Sequence, residues 1–240
     1  MSRLRPLVAV VALSTALGLT ACIGAPSDTP TPSPTATATD YRSVDAAAAE
    51  ELMRSALPVG PDDHDVYNES GLDTTTFGSD WTDVDLDAQR VARVWRGLVS
   101  PGWSDPSFGP GYEWMAEIVL MESEDAAGVA FNAIAGATAE PYTNDSDDGT
   151  VQDSFEPLPE PSGRWPFGTV EQKVTTVWST GQRASGWVIS YLSGPFIMRA
   201  SGLAVPGGDS EAALSAFTDT AGPELITAVD GLPAGLIALG

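Results

Sequence analysis

TVEQKVTTVWSTGQRASGWVISYLSGPFIMRASGL, residues 169–203, contains three runs rich in β-branched and aromatic residues, at 169–179, 186–192 and 196–203. Thr180-Gly181-Gln182 and Ser193-Gly194-Pro195 punctuate them. Turns this short leave no room for a crossover, so the runs must pair antiparallel as a meander.

Upstream, WMAEIVLM at 114–121 is a short apolar run that suits a central strand, and Ser123 is placed to cap a helix carrying Ala126, Val129, Ala130, Ala133 and Ile134. Ser43 is placed to cap an earlier helix with Val44, Ala48, Leu52 and Ala56 on one face, closed by Pro58 and Gly60. Residues 87–99 fit a second helix, with Val91, Val94, Trp95 and Leu98 as its stripe. A last helix opens near Asp209 or Ser210 with Leu214, Phe217, Ala221 and Leu225 aligned and a kink at Gly222-Pro223. Strands in a meander with helices packed around them predict an α+β fold, one antiparallel sheet in a single domain over residues 43–240.

The chain ahead of that domain has a different character. Arg3 and Arg5 precede an apolar run from Leu7 to Leu19, and Leu19-Thr20-Ala21 leads directly to Cys22. That is the pattern of an export signal over residues 1–21, too short to span a membrane comfortably. Leu19-Thr20-Ala21-Cys22 resembles the lipobox of bacterial lipoproteins. The resemblance implies diacylglyceryl modification of the Cys22 thiol and cleavage before it, leaving the protein lipid-anchored on the extracytoplasmic face of the cell membrane. Each acyl methylene buried in lipid contributes ~0.8 kcal/mol, so two or three chains give a stable anchor. Residues 22–42 continue as a Pro/Thr-rich linker whose polyproline II reach is ~55 Å.

The chain has 240 residues, with 33 Asp and Glu against 11 Lys and Arg. Removing residues 1–21 takes away two arginines and no acid, so the mature chain is more acidic still, with Lys173 its only lysine. Such a field repels polyanions and excludes nucleic acid as a default partner. It also opposes adhesion to anionic lipid, which leaves membrane contact to the anchor. A single Cys rules out an intramolecular disulfide, and a single His rules out most zinc constellations.

A second resemblance covers residues 43–232. The order helix, acidic segment, helix, then EIVLMESEDAA at 117–127, a Trp-containing meander and a final helix is similar to extracellular sensor-type domains of actinobacterial kinases and related lipoproteins. The Ala, Gly, Asp and Thr bias suits an actinobacterium. The resemblance implies a ligand-binding or sensing module without catalysis and assigns no site residue. Those kinase domains generally carry disulfides, which this chain cannot form within one molecule.

Several motifs invite chemistry and have plainer explanations. Residues 144–153 (NDSDDGTVQD) have calcium-loop character, yet aligning Gly149 to the EF-hand glycine puts Phe155 where a bidentate Glu belongs; a solvated acidic loop is simpler. Asp83, Asp85 and Asp87 would share one face of a strand, and capping or solubility explains them. His64, inside Pro61-Asp62-Asp63-His64-Asp65, reads as a surface histidine. No nucleophile elbow and no phosphate-binding loop occurs, so no catalytic residue, metal ligand or cofactor is implied.

Residues 100–113 (SPGWSDPSFGPGYE) and 140–168 are rich in Pro, Gly and Asp, and long loops on a rigid scaffold commonly build sites. Trp95, Trp114, Trp178 and Trp187 fall in strand or helix patterns and read as core. Trp103 and Trp165 sit in the two long segments and are the candidate ligand-binding residues, with folded-back plugs as the plainer alternative. If the segments converge at one end of the sheet, Asp105, Glu113, Asp145, Asp147 and Asp148 would give a negative rim that favours neutral or cationic ligands. The expectation is therefore a membrane-anchored, non-enzymatic binding or sensor-like module for an envelope glycan or protein. A glycan hydrolase or a structural surface protein without a small ligand are the alternatives.

Overall fold

A computed structural model describes residues 39–69, 89–136, 142–146, 149–157 and 170–239. Eight strands form one antiparallel sheet in the order β1-β2-β3-β8-β7-β6-β5-β4. β1 (Asp65–Glu69), β2 (Arg90–Val99) and β3 (Tyr112–Met121) form one meander. β4 (Tyr142–Ser146), β5 (Gly149–Pro157), β6 (Val170–Trp178), β7 (Arg183–Ser193) and β8 (Phe196–Ala204) form another. β8 returns to pair with β3, which joins the two halves into a single α+β domain. The expected meander of 169–203 is thus β6–β7–β8 at the middle of the sheet.

Alternation along the central strands sorts the core into two layers. Trp114, Ile118 and Leu120 of β3 and Phe196, Met198 and Ala200 of β8 share a cluster with α1 (Ala46–Ala56) and α3 (Gly208–Ile237). Met121 and Ile197, of opposite parity, pack instead with Ala126, Ala127 and Ala130 of α2 (Glu124–Gly136). Helices therefore cover both faces, and burying each large apolar side chain contributes roughly 1.5–3 kcal/mol. No helix among the described residues is long and apolar enough to cross a membrane.

Four local readings need correction. Residues 90–99 are strand β2, not a helix. Ala92, Val94 and Leu98 share strand parity and face the core, while Arg93, of opposite parity, is also buried. Val94 and Leu98 satisfy helical and strand spacing alike, and the pairing with β3 that decides between them is non-local. The cap of α1 is Asp45, not Ser43: its Oδ1 accepts from Ala47 N at 2.9 Å and Ala48 N at 3.3 Å. The core face of α1 then centres on Ala49 and Met53. Residues 140–168 are not a loop throughout, because β4 and β5 form a hairpin within them, with Ser146 opposite Gly149. Val129, expected on the buried stripe of α2, is 59% exposed.

Other expectations stand. Ser123 Oγ accepts from Ala126 N at 3.1 Å, as an N-cap should. α3 keeps Leu214, Ala221 and Leu225 buried and continues past Pro223 and Pro233 to Ile237. Among the described residues the sheet ends in β1 (DVYNE) and β4 (YTNDS), two five-residue strands carrying Asp65, Glu69 and Asp145.

Candidate functional site

Trp103 closes a short 3-10 turn over Pro101–Trp103, and a second such turn covers Pro106–Phe108. Ser100 anchors the segment, donating from Oγ to Pro110 O at 2.8 Å and accepting from Tyr112 N at the same distance. The two arms of the excursion cross closely at Gly102, where a Cβ would stand 2.1 Å from Gly109 O. Glycine is required there because the obstacle is backbone. Asp105 caps the second turn through Ser107 N at 2.9 Å, and that bond holds its carboxyl below the usual carboxylate range.

Trp103 borders a concavity of about 510 Å³ at one end of the central strands. Gly181, Gln182 and Arg183 from the β6–β7 turn face it, as do Val205 and Pro206 where the chain leaves β8. This volume is in the range of small-ligand sites. The described lining contains no carboxylate, and Asp147 and Asp148 of the expected negative rim lie outside the described residues. Asp105 is occupied as a cap, Glu113 lies within β3 opposite Val99 and Leu203, and Asp145 lies on β4, three strands from β7. Among the described residues, the charged group that lines the concavity is the exposed guanidinium of Arg183. Cys22, Trp165, Asp83, Asp85, Asp87, Asp147 and Asp148 lie outside the described residues.

A second groove of about 500 Å³ runs between β6–β7 and α3, lined by Glu171, Lys173, Ser185, Trp187, Glu211 and Ser215 among others. Trp187 is only 8% exposed and belongs to the core, as expected; so does Trp114, which is fully buried. Residues 144–146 and 149–153 belong to the β4–β5 hairpin. Among the described residues no group of three or more His, Cys, Asp or Glu is placed to hold a metal ion.

Two polar clusters were not foreseen. His64 is not a surface residue: its side chain is 7% exposed, with Nδ1 2.9 Å from Asp63 Oδ1 and Nε2 2.7 Å from the Tyr112 hydroxyl. Its ring stacks near Phe217 at 6.4 Å, and Phe217 in turn meets Trp114 edge-on at 5.5 Å. Burial, with the Asp63 carboxylate a smaller influence, raises the Tyr112 pKa, whereas the His64 bond lowers that of Asp63. The second cluster lies on the sheet parity opposite α1 and α3. There buried Arg93 donates to buried Glu117, and Glu117 stands opposite buried Arg199 on β8. Burial pulls Arg199 down to about 10, Glu117 opposing that shift and Arg93 adding to it. Only the strand register brings these charges together, so neither cluster has a sequence motif.

No family model matches the chain, and no curated protein matches it. Among solved structures, the extracellular domain of PknH from Mycobacterium tuberculosis is similar at 11% identity and a TM-score of 0.50, the match covering 77% of this chain and 96% of that one. The likeness is one of fold. An uncharacterised protein from Mycobacterium smegmatis aligns at 12% identity and a TM-score of 0.31, over 79% of this chain and 99% of that one.

Proposed function

We propose that this chain is a lipoprotein anchored through a diacylglyceryl group on Cys22, whose α+β domain acts outside the cytoplasmic membrane as a non-enzymatic ligand-binding or sensor-like module. The observation that carries the reading is the Trp103 concavity: an aromatic wall, an amide and a guanidinium around a small-ligand volume. Its described side chains, an indole, an amide and a guanidinium, can hold a ligand by stacking and hydrogen bonding. The fold shared with an extracellular domain supports the location, and so does the signal-like sequence of residues 1–21. Trp165, the other residue singled out in the sequence, is tested beside it.

Two measurements test this. Cys22→Ala should move the protein from the detergent to the aqueous phase on partitioning, and unchanged detergent recovery refutes the anchor. Trp103→Ala and Trp165→Ala should weaken binding of envelope oligosaccharides while leaving the melting temperature nearly unchanged; a melting loss without a binding loss makes them plugs.

The second groove supports a second reading, a glycan hydrolase, because Glu171 and Glu211 line one cleft as a carboxylate pair would. Glycan hydrolysis that disappears in both Glu171→Gln and Glu211→Gln would establish it in place of the first.

A further inference from the structure

We infer that Arg183 makes the Trp103 concavity selective for a sugar ring bearing a carboxylate, such as a uronic acid; this rests on the reading of that concavity as the ligand site. The chain carries net charge −22, yet among the described residues the charged group lining this concavity is a cation, and no described carboxylate pairs with it. The sheet explains why it is left unneutralised. Arg183 stands opposite Val177 on β6, and the β7–β8 ladder stops at Ser185 and Ala204. Beyond that point the guanidinium faces Val205 and Pro206, with no acid at a directly opposed position.

The ligand class follows from what surrounds the fork. A guanidinium binds a carboxylate through two parallel N–H donors. Gln182 is exposed, and its Oε1 accepts from Thr180 Oγ1 at 3.3 Å, which leaves its amide N–H donors for ligand hydroxyls. Trp103 supplies an aromatic wall for a sugar face. An extended peptide is less well served: β6 and β7 are interior strands, so no free ladder edge is available for main-chain pairing. A polyanion is disfavoured as well, because charges beyond the ~8 Å screening length of one arginine meet the acidic remainder of the protein.

Calorimetry on the full-length chain in detergent micelles tests this, using a disaccharide with a terminal glucuronic acid and the same disaccharide with that carboxyl reduced to an alcohol. The acid should bind about tenfold tighter, in keeping with one charge-assisted pair. Arg183→Gln should bring the two sugars within about twofold of each other, chiefly by weakening binding of the acid, and leave the melting temperature of this exposed position unmoved. Trp103→Ala should weaken both. If the wild type binds both sugars equally and Trp103→Ala weakens both, selectivity by Arg183 is wrong while the Trp103 site stands. If neither sugar binds, both readings fall. If a short peptide with a free C-terminal carboxylate binds in an Arg183-dependent way and the uronic sugar does not, the sugar class is wrong.

Discussion

Nε2 of His64 lies 2.7 Å from the hydroxyl of Tyr112, a hydrogen bond that spans 48 residues and fastens the segment before edge strand β1 to central strand β3. Both side chains are 7% exposed, so neither can exchange this partner freely for water. Tyr112→Phe should therefore cost about 1–3 kcal/mol, the desolvation penalty of the imidazole nitrogen left behind. In a domain this large that is roughly 2–4 °C of melting temperature per kcal/mol. A Tyr112→Phe variant that melts with the wild type would show the bond contributes nothing.

The same cluster gives stability a dependence on pH at both extremes. The Asp63 pKa lies below its ordinary 3.8 because of its bond to His64, so its contribution is intact above 3.8 and is lost as pH falls through the folded-state value. Tyr112 is raised above 10 by burial, so its contribution is intact below 10 and is lost as pH rises through its folded-state value. Urea midpoints measured from pH 2 to 5 should fall less steeply in Asp63→Asn than in the wild type.

Glu117 is the anion set between two buried guanidinia, Arg93 and Arg199. Glu117→Gln should cost about 3–5 kcal/mol, the range for leaving a buried charge uncompensated. Arg199→Met should cost much less, because it removes a cation whose desolvation is already unfavourable and leaves the Arg93–Glu117 pair in place. Urea denaturation of both variants checks the ranking, and equal midpoints would contradict it.

Two glycines let β7 and β8 approach. A Cβ on Gly186 would stand 1.7 Å from Gly202 O, and one on Gly202 would stand 2.7 Å from Leu214 Cδ1 and 2.9 Å from the Trp187 ring. Gly202→Ala meets side chains that can shift, at the ~1–3 kcal/mol typical of overpacking. Gly186→Ala meets backbone and should cost more, read as a lower soluble yield and a lower melting temperature than Gly202→Ala.

Replacing Asp45 by Ala should cost about 1 kcal/mol through the lost N-cap, and replacing Ser43 less than about 0.5 kcal/mol. Chemical denaturation separates the two. Ser43-Val44-Asp45 offers two capping residues, and local sequence does not choose between them. The choice follows Tyr41, whose N donates to Glu122 O at 2.8 Å and whose O accepts from Val44 N in a turn.

That example marks the boundary of what the residues disclose. The β6–β7–β8 meander was legible because both faces of those strands are apolar enough to need cover and the turns between them are short. β2 was misread because its spacing serves two periodicities, and β3 settles the matter from about twenty residues away. The β4–β5 hairpin was hidden by its Asn and Asp content, since in β5 Val151 and Phe155 share strand parity but Asp153 between them breaks the apolar alternation. At the site, Trp103 was found from its loop, but Arg183 was not, since its meaning depends on where the β7–β8 ladder ends.

The terminal strands of the sheet also bear on how copies of the protein meet one another. Each is five residues long, β1 carrying Asp65 and Glu69 and β4 carrying Asp145. A second copy zipping onto either border would bring carboxylates together across a short ladder, with little hydrogen bonding to offset their repulsion. Short, acidic borders of this kind resist growth of the sheet from molecule to molecule, so that crowding many copies onto a surface favours separate domains over a fibre.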